Sequence, residues 1–270
     1  MQESTIMKRS ITLFAAVVAL FSVNSLKATV VDLTAPGSSG SINGALFFET
    51  DQQPAGTGFI QSFLRVQNNG FEQGYNTDGG FPFDDKNPHN FQHSLQLGDL
   101  SQFTLNGTAY YKFMLDANQS GGQSGHDFSL DRFQIYTSNN PAITSTTFST
   151  NASGVQVLPL GHLAYTMNNN NGTGDYVVTH ATGSGKFDAV VYIPVMDFNQ
   201  SDKNVYLYMG SGDNILASGG FEEWTAATGV APVPEVAPSS ILFGFLGLVV
   251  AASSRRALGG RVRALVRHGK

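Results

Sequence analysis

Between Thr29 and Glu235 no stretch of a dozen residues sustains the 3.6-residue apolar period of a helix, and that removes most folds from consideration. The interval is filled by short runs of β-branched and aromatic residues, set between clusters of Gly, Asn, Ser, Thr and Asp. Period-two alternation is plain in Phe59–Val66 and in Phe128–Tyr136. Comparable runs occur at Ala45–Phe48, Tyr110–Leu115, Leu163–Met167, Tyr176–Thr179, Ala189–Val195 and Val205–Met209. Side chains of this kind suit a pleated, half-buried surface. Between them lie turn formers: Asn69-Gly70, Asp78-Gly79-Gly80, Asn106-Gly107, Ser120-Gly121-Gly122 and Asn171-Gly172. Roughly ten short strands at this spacing predict an all-β, antiparallel β-sandwich, jelly-roll-like, over residues 29–224. No internal repeat or linker divides it.

The two ends have a different character. Lys8 and Arg9 precede the apolar run Ile11–Val23, and small residues follow at Ser25 and Ala28. That order predicts a secretory signal peptide over residues 1–28, with cleavage after Ser25 or Ala28 and Met7 as an alternative start. The apolar run is shorter than the roughly 20 residues a bilayer-spanning helix needs. Residues 225–235, with Pro232 and Pro234, predict a stiff spacer. Val236–Ser254 is 19 uncharged residues rich in Leu, Phe, Val and Gly, long enough to cross a hydrocarbon core. The basic tail, residues 255–270, places that end in the cytoplasm by the positive-inside rule and the sandwich outside.

The formal charge of −5 hides an asymmetry. Residues 29–235 hold six basic and 19 acidic side chains, a net charge of −13. A body this acidic repels phosphate backbones, which argues against nucleic acid as a partner. Divalent cations and neutral glycans, exopolysaccharide among them, are the partners its charge favours. With no cysteine in the chain, thiol catalysis, thiolate metal sites and disulfides are excluded, and the fold must rest on its hydrophobic core.

One loop carries metal-binding chemistry. Asp116-x-Asn118-x-Ser120-Gly121, with Asp127 in the twelfth position, imitates a calcium loop, which wants oxygen ligands at alternate positions, a Gly at the sharp turn and a distal carboxylate. A hairpin gathering Asp116, Asn118, Ser120, Asp127 and Asp131 around Ca²⁺ is one reading. A Gly/Ser-rich turn with solvated carboxylates is the other. Asp197-x-Asn199-x-Ser201-Asp202 is a weaker fragment of the same pattern. Nothing predicts catalysis: the histidines lack helical metal spacing, and there is no nucleophile elbow or phosphate loop. Glu222 and Glu223, adjacent on a predicted strand, point to opposite faces and cannot act as a pair on one bond. Trp224, the single tryptophan, is expected in the core.

Val233-Pro234-Glu235-Val236, then Pro238-Ser239-Ser240, the apolar segment and Arg255-Arg256 resemble the PEP-CTERM sorting signal. In that family a Pro-Glu-Pro motif precedes a membrane helix and a basic cluster near the chain end; here Val236 stands at the second Pro. The resemblance covers about the last 40 residues. It implies Val233, Pro234 and Glu235 as sorting-motif positions, Arg255 and Arg256 as the basic stop, and the export machinery and an exosortase-type peptidase as partners. Phe63–Gln67, Gly74–Asp78, Phe113–Gln119, Ser129–Asp131 and Gly220–Trp224 also resemble segments of uncharacterised PEP-CTERM surface proteins. That resemblance implies an extracellular location and assigns no reaction. The leading expectation is a non-enzymatic surface or biofilm-matrix protein, and the alternative is a carbohydrate-binding module that recognises exopolysaccharide on a sandwich face.

Overall fold

Alternating runs become strands where each finds a ladder partner, and the distribution of partners is what the chain order leaves open. The computed structural model describes residues 28–53, 61–85, 91–119, 127–168, 174–181 and 185–229. The expected signal peptide, the membrane segment, the basic tail and all the sorting-motif positions lie outside these residues. Ten principal strands build the body: β1 (Val30–Leu33), β2 (Ala45–Glu49), β3 (Leu64–Val66), β4 (Glu72–Tyr75), β5 (Thr108–Ala117), β6 (Asp127–Ser138), β7 (Tyr176–His180), β8 (Ala189–Pro194), β9 (Asn204–Ser211) and β10 (Glu222–Ala226).

They form two sheets, ordered β1-β7-β6-β9-β4 and β2-β8-β5-β10-β3. Short strands complete each to seven: His162–Thr166 and Leu95–Gln96 in the first, Ser39–Ile42 and Gln102–Leu105 in the second. The fold is all-β, as the periodicity predicts, and its sheets are antiparallel with one exception. β1 runs parallel to β7, Val30 beside Tyr176 and Leu33 beside Thr179. Such a pair needs no hairpin, so no turn signal announces it.

Two boundaries differ from expectation. Of the run Phe59–Val66, Leu64–Val66 is strand, and residues 59–60 lie outside the described residues. β10 continues through Thr225 and Ala226, past the expected domain edge at Trp224. The Asn106-Gly107 turn is as read: φ of +49° and +84° gives the doubly left-handed turn that joins Gln102–Leu105 to β5. Among the described residues helical turns are limited to Leu97–Asp99 and Val195–Asp197, and no helix there is long and apolar enough to cross a membrane.

One apolar cluster lies between the sheets, drawing Leu33, Phe133 and Leu207 from the first and Phe47, Phe113 and Trp224 from the second. Trp224 is fully buried and stacks on Phe133 with ring centroids 5.0 Å apart. Its indole N–H donates to the Met209 sulfur at 3.1 Å, which answers the one polar atom the ring carries.

β9 is buried along its whole length. Val205, Leu207 and Met209 face the inner core, while Tyr206 and Tyr208 join Tyr75, Tyr136, Leu158 and Leu160 in a second cluster on the opposite face of the sheet. The connection 139–161 contributes to that cluster and is stapled down by tyrosine hydroxyls. Tyr75 Oη donates to the Ser145 carbonyl at 2.9 Å, and the Leu158 N–H donates to Tyr136 Oη at 2.9 Å.

Candidate functional site

β-strand alternation separates the two glutamates of β10, as expected, but one of them gains a partner from the other sheet. Glu222 shares the inward face of β10 with Trp224. Glu223, on the outward face, forms an ion pair with Arg65 at 3.3 Å and lies beside Asp116 in the β5–β10 register. Inside the sandwich Glu222 meets Glu72 of β4, and both side chains are fully buried. Glu72 Oε1 accepts from Ser211 Oγ of β9 at 2.8 Å, and Glu72 Oε2 accepts from the Asn68 N–H at 2.9 Å. Glu222 Oε1 accepts from Gln119 Nε2 at 2.5 Å. Glu222 Oε2 has no donor among the described residues.

Two glycines make this convergence sterically feasible. A Cβ on Gly220 would lie 1.2 Å from the Asn118 carbonyl oxygen, so only glycine lets residues 118–119 approach the start of β10. Gly212, at φ +102°, would press a Cβ to 2.0 Å from the Gly70 carbonyl as the chain leaves Ser211.

The electrostatics follow from burial. Carboxylates accept hydrogen bonds and cannot donate them, so two ionised ones in contact have nothing to share. At about 4 Å and an effective dielectric near 20 they repel by roughly 4 kcal/mol. Burial, then the contact with Glu72, raises the Glu222 pKa well above the ordinary range. Burial raises Glu72 as well, against hydrogen bonds from Glu222, Asn68 and Ser211 that pull it down. Burial and the neighbouring carboxylate therefore favour the protonated form of Glu222, which donates a hydrogen bond to Glu72.

The expected calcium-loop residues are distributed differently. Asp116 is buried on the outward face of β5. Its Oδ2 accepts from the Gly185 N–H at 3.3 Å, and its Oδ1 has no hydrogen-bond donor among the described residues. Burial pushes its pKa up to about 6, with Glu223 adding and Gly185 opposing. The Asn118 N–H bonds the Phe221 carbonyl at 3.1 Å. Ser120 lies outside the described residues. Asp127 is paired with His180 at 2.6 Å. Asp131 sits where the β6–β9 register shifts and pins the following turn, accepting from the Asp213 N–H at 2.8 Å and Asn214 Nδ2 at 2.6 Å. Among the described residues no three His, Asp or Glu side chains converge as metal ligands. In the weaker fragment, Asp202 accepts from Thr137 Oγ1 at 2.7 Å and pairs with His162 at 2.7 Å. Burial raises its pKa, but those hydrogen bonds outweigh it and hold the group below its usual value.

A second feature lies on the far side of the first sheet. Beside the tyrosine cluster runs a groove of about 350 Å³, lined by Arg132, Gln134, Phe148, Gln156, Asn168 and Asp213. Arg132 pairs with Asp213 at 2.9 Å and stacks over Phe71 at 4.6 Å. No protein-family model, curated protein or solved structure matches the chain. The functional reading therefore rests on these residues and on the sequence.

Proposed function

We propose that the chain is a non-enzymatic exported surface protein, sorted through its PEP-CTERM-like C-terminal segment and trimmed by an exosortase-type peptidase. The observation that carries this reading is the position of β10, the last of the ten strands. It is an interior strand of its sheet, between β5 and β3, and the Pro-Glu motif follows it after the spacer. A cut near Glu235 leaves every strand of the described residues in place. The strand order supports a jelly-roll reading of the body. β3–β6 and β7–β10 pair as one long hairpin rolled into two sheets, with β1 and β2 added at the edges. Mass spectrometry of the surface fraction tests the sorting. Mature protein should end near Glu235, and an intact C-terminus through Lys270 would identify a permanent tail anchor.

The groove supports a second reading, a carbohydrate-binding module for exopolysaccharide. Guanidinium and amide groups beside an aromatic ring are the means by which a site orients a neutral, hydroxyl-rich ligand. Binding on a neutral glycan array that is lost in Arg132→Ala and Gln134→Ala together would establish it. Binding that survives the pair of substitutions would locate the ligand elsewhere.

A further inference from the structure

We propose that the expected signal peptide is cut after Ala28, and that the new α-amino group, on Thr29, is the cation that pairs with the buried carboxylate of Asp175. The Thr29 N–H donates to Asp175 Oδ1 at 2.6 Å, and the Thr29 carbonyl accepts from the Tyr176 N–H at 3.1 Å. Residue 29 is thus held through both of its backbone groups, one step before β1 begins its parallel ladder on β7. Ala28 and Thr29 are exposed, so a chain that begins at Thr29 presents its new end to water and not to the core.

Asp175 is the half of the pair that lacks a partner charge. It is 3% exposed, and the Thr29 N–H is its one hydrogen-bond donor among the described residues. No Lys, Arg or His among them forms an ion pair with it. Its titratable neighbour is Tyr165, from the strand His162–Thr166, whose hydroxyl donates to the Ile42 carbonyl at 2.9 Å. A buried carboxylate answered by one neutral N–H keeps much of its desolvation cost, and a cation at the same atom offsets it. Hydrolysis of the Ala28–Thr29 bond supplies that cation. The water oxygen goes to the Ala28 carboxylate on the discarded leader, and both hydrogens go to the Thr29 nitrogen, which becomes an ammonium. The amide that faces Oδ1 thereby becomes a charge-assisted donor in the same place. Cleavage after Ser25, the other site the leader offers, puts the ammonium three residues further out, up to about 10 Å along an extended chain. The inference rests on the export reading and fixes which of the two leader sites the mature protein uses.

N-terminal sequencing of the full chain, expressed with its own leader in an export-competent host and recovered from the exported fraction, tests the cut. Thr29 is expected as the first residue. A start at Leu26 overturns the inference and leaves export standing, whereas an intact leader beginning at Met1 or Met7 overturns both. The pairing has its own readout. An unpaired α-amino group titrates at about 7.7–8.0, and Asp175 should raise that value. Amine-directed labelling of Thr29 at pH 7 should therefore run roughly tenfold slower in the wild type than in Asp175→Asn, the effect of one pKa unit. Equal rates overturn the pairing. If Asp175→Asn does not fold, titration of the wild-type α-amine decides alone, and a midpoint inside the ordinary range overturns the pairing as well.

Discussion

The outward faces of the two sheets are built from similar residues and finished differently. On the first sheet Tyr75, Tyr136, Tyr206 and Tyr208 are almost completely covered; the connection 139–161 supplies partners for the hydroxyls of Tyr75, Tyr136 and Tyr206, and Tyr208 donates to Gln73 Oε1 at 2.8 Å. On the second, Tyr192 is the hub of a herringbone with Phe48, Phe103 and Tyr110, at centroid distances of 5.7–6.2 Å. There Phe48, Phe103, Leu46 and Met114 stay half-buried. An aromatic face on a strand therefore does not decide its own burial. Tyr192 and Tyr110 are themselves buried, so the contrast lies around them: a connection closes the first face and answers phenol oxygens there, whereas the second face keeps half-buried side chains that carry no polar atom.

The sharpest way to break this contrast is to truncate one ring on each face. Tyr206→Ala should lose about 3–5 kcal/mol in chemical denaturation, the range for emptying a closed aromatic site. Tyr192→Ala should lose roughly half as much, because its neighbours are already partly solvated. Equal losses would show that the second face is as closed as the first.

Asp116 sharpens the comparison from the second face. Its folded-state value of about 6 lies above the 3.8 of the exposed group, so the folded protein holds that proton more tightly than the unfolded chain. The associated stability is present below about pH 4, is lost as pH rises to about 6, and stays lost above. Asp116→Asn should therefore stabilise the protein by about 2–3 kcal/mol at pH 8 and by nothing measurable at pH 4. Equal stabilisation at both values would mean the carboxyl is ionised throughout.

Tyr136→Phe probes the staple alone. It keeps the ring and strands the Leu158 N–H, at a cost of about 1–2 kcal/mol, with faster amide exchange at Leu158 as the local readout. The smallest effect belongs to Lys112, whose ammonium stands 5.5 Å from Phe103 and 5.7 Å from Tyr192. Lys112→Met should cost less than about 1 kcal/mol. A larger loss would give that cation a structural role on the second face.

Much of the architecture is legible in the sequence, because each strand's alternation is a local property. Phe128–Tyr136 reads as strand and is strand, and so is the run Ala189–Val195 up to Pro194, with Val195 opening a helical turn. Trp224 reads as core and is core. The carboxylate pair was not legible for the opposite reason. Alternation correctly parted Glu222 from Glu223, but nothing near Glu222 in the chain points to Glu72, which arrives from another sheet. The loop motif drew attention to Asp116 and Asn118, whereas Gln119, an unremarked amide, is the residue that turns inward. Tyr206 and Tyr208 look like the solvated side of an amphipathic strand. Their burial depends on a connection whose path no local pattern encodes.

The interior position of β10 also sets the order in which the body can assemble. β3 pairs in its sheet through β10. A chain delivered from its N-terminal end therefore holds β3 without its ladder, and β5 without one of its neighbours, until residue 226 arrives. The pairings that close the second sheet are among the most distant in sequence, which makes folding slow and late. The first sheet, whose strands all end by Ser211, has its full set of partners before that point, so the second sheet is the one that closes last.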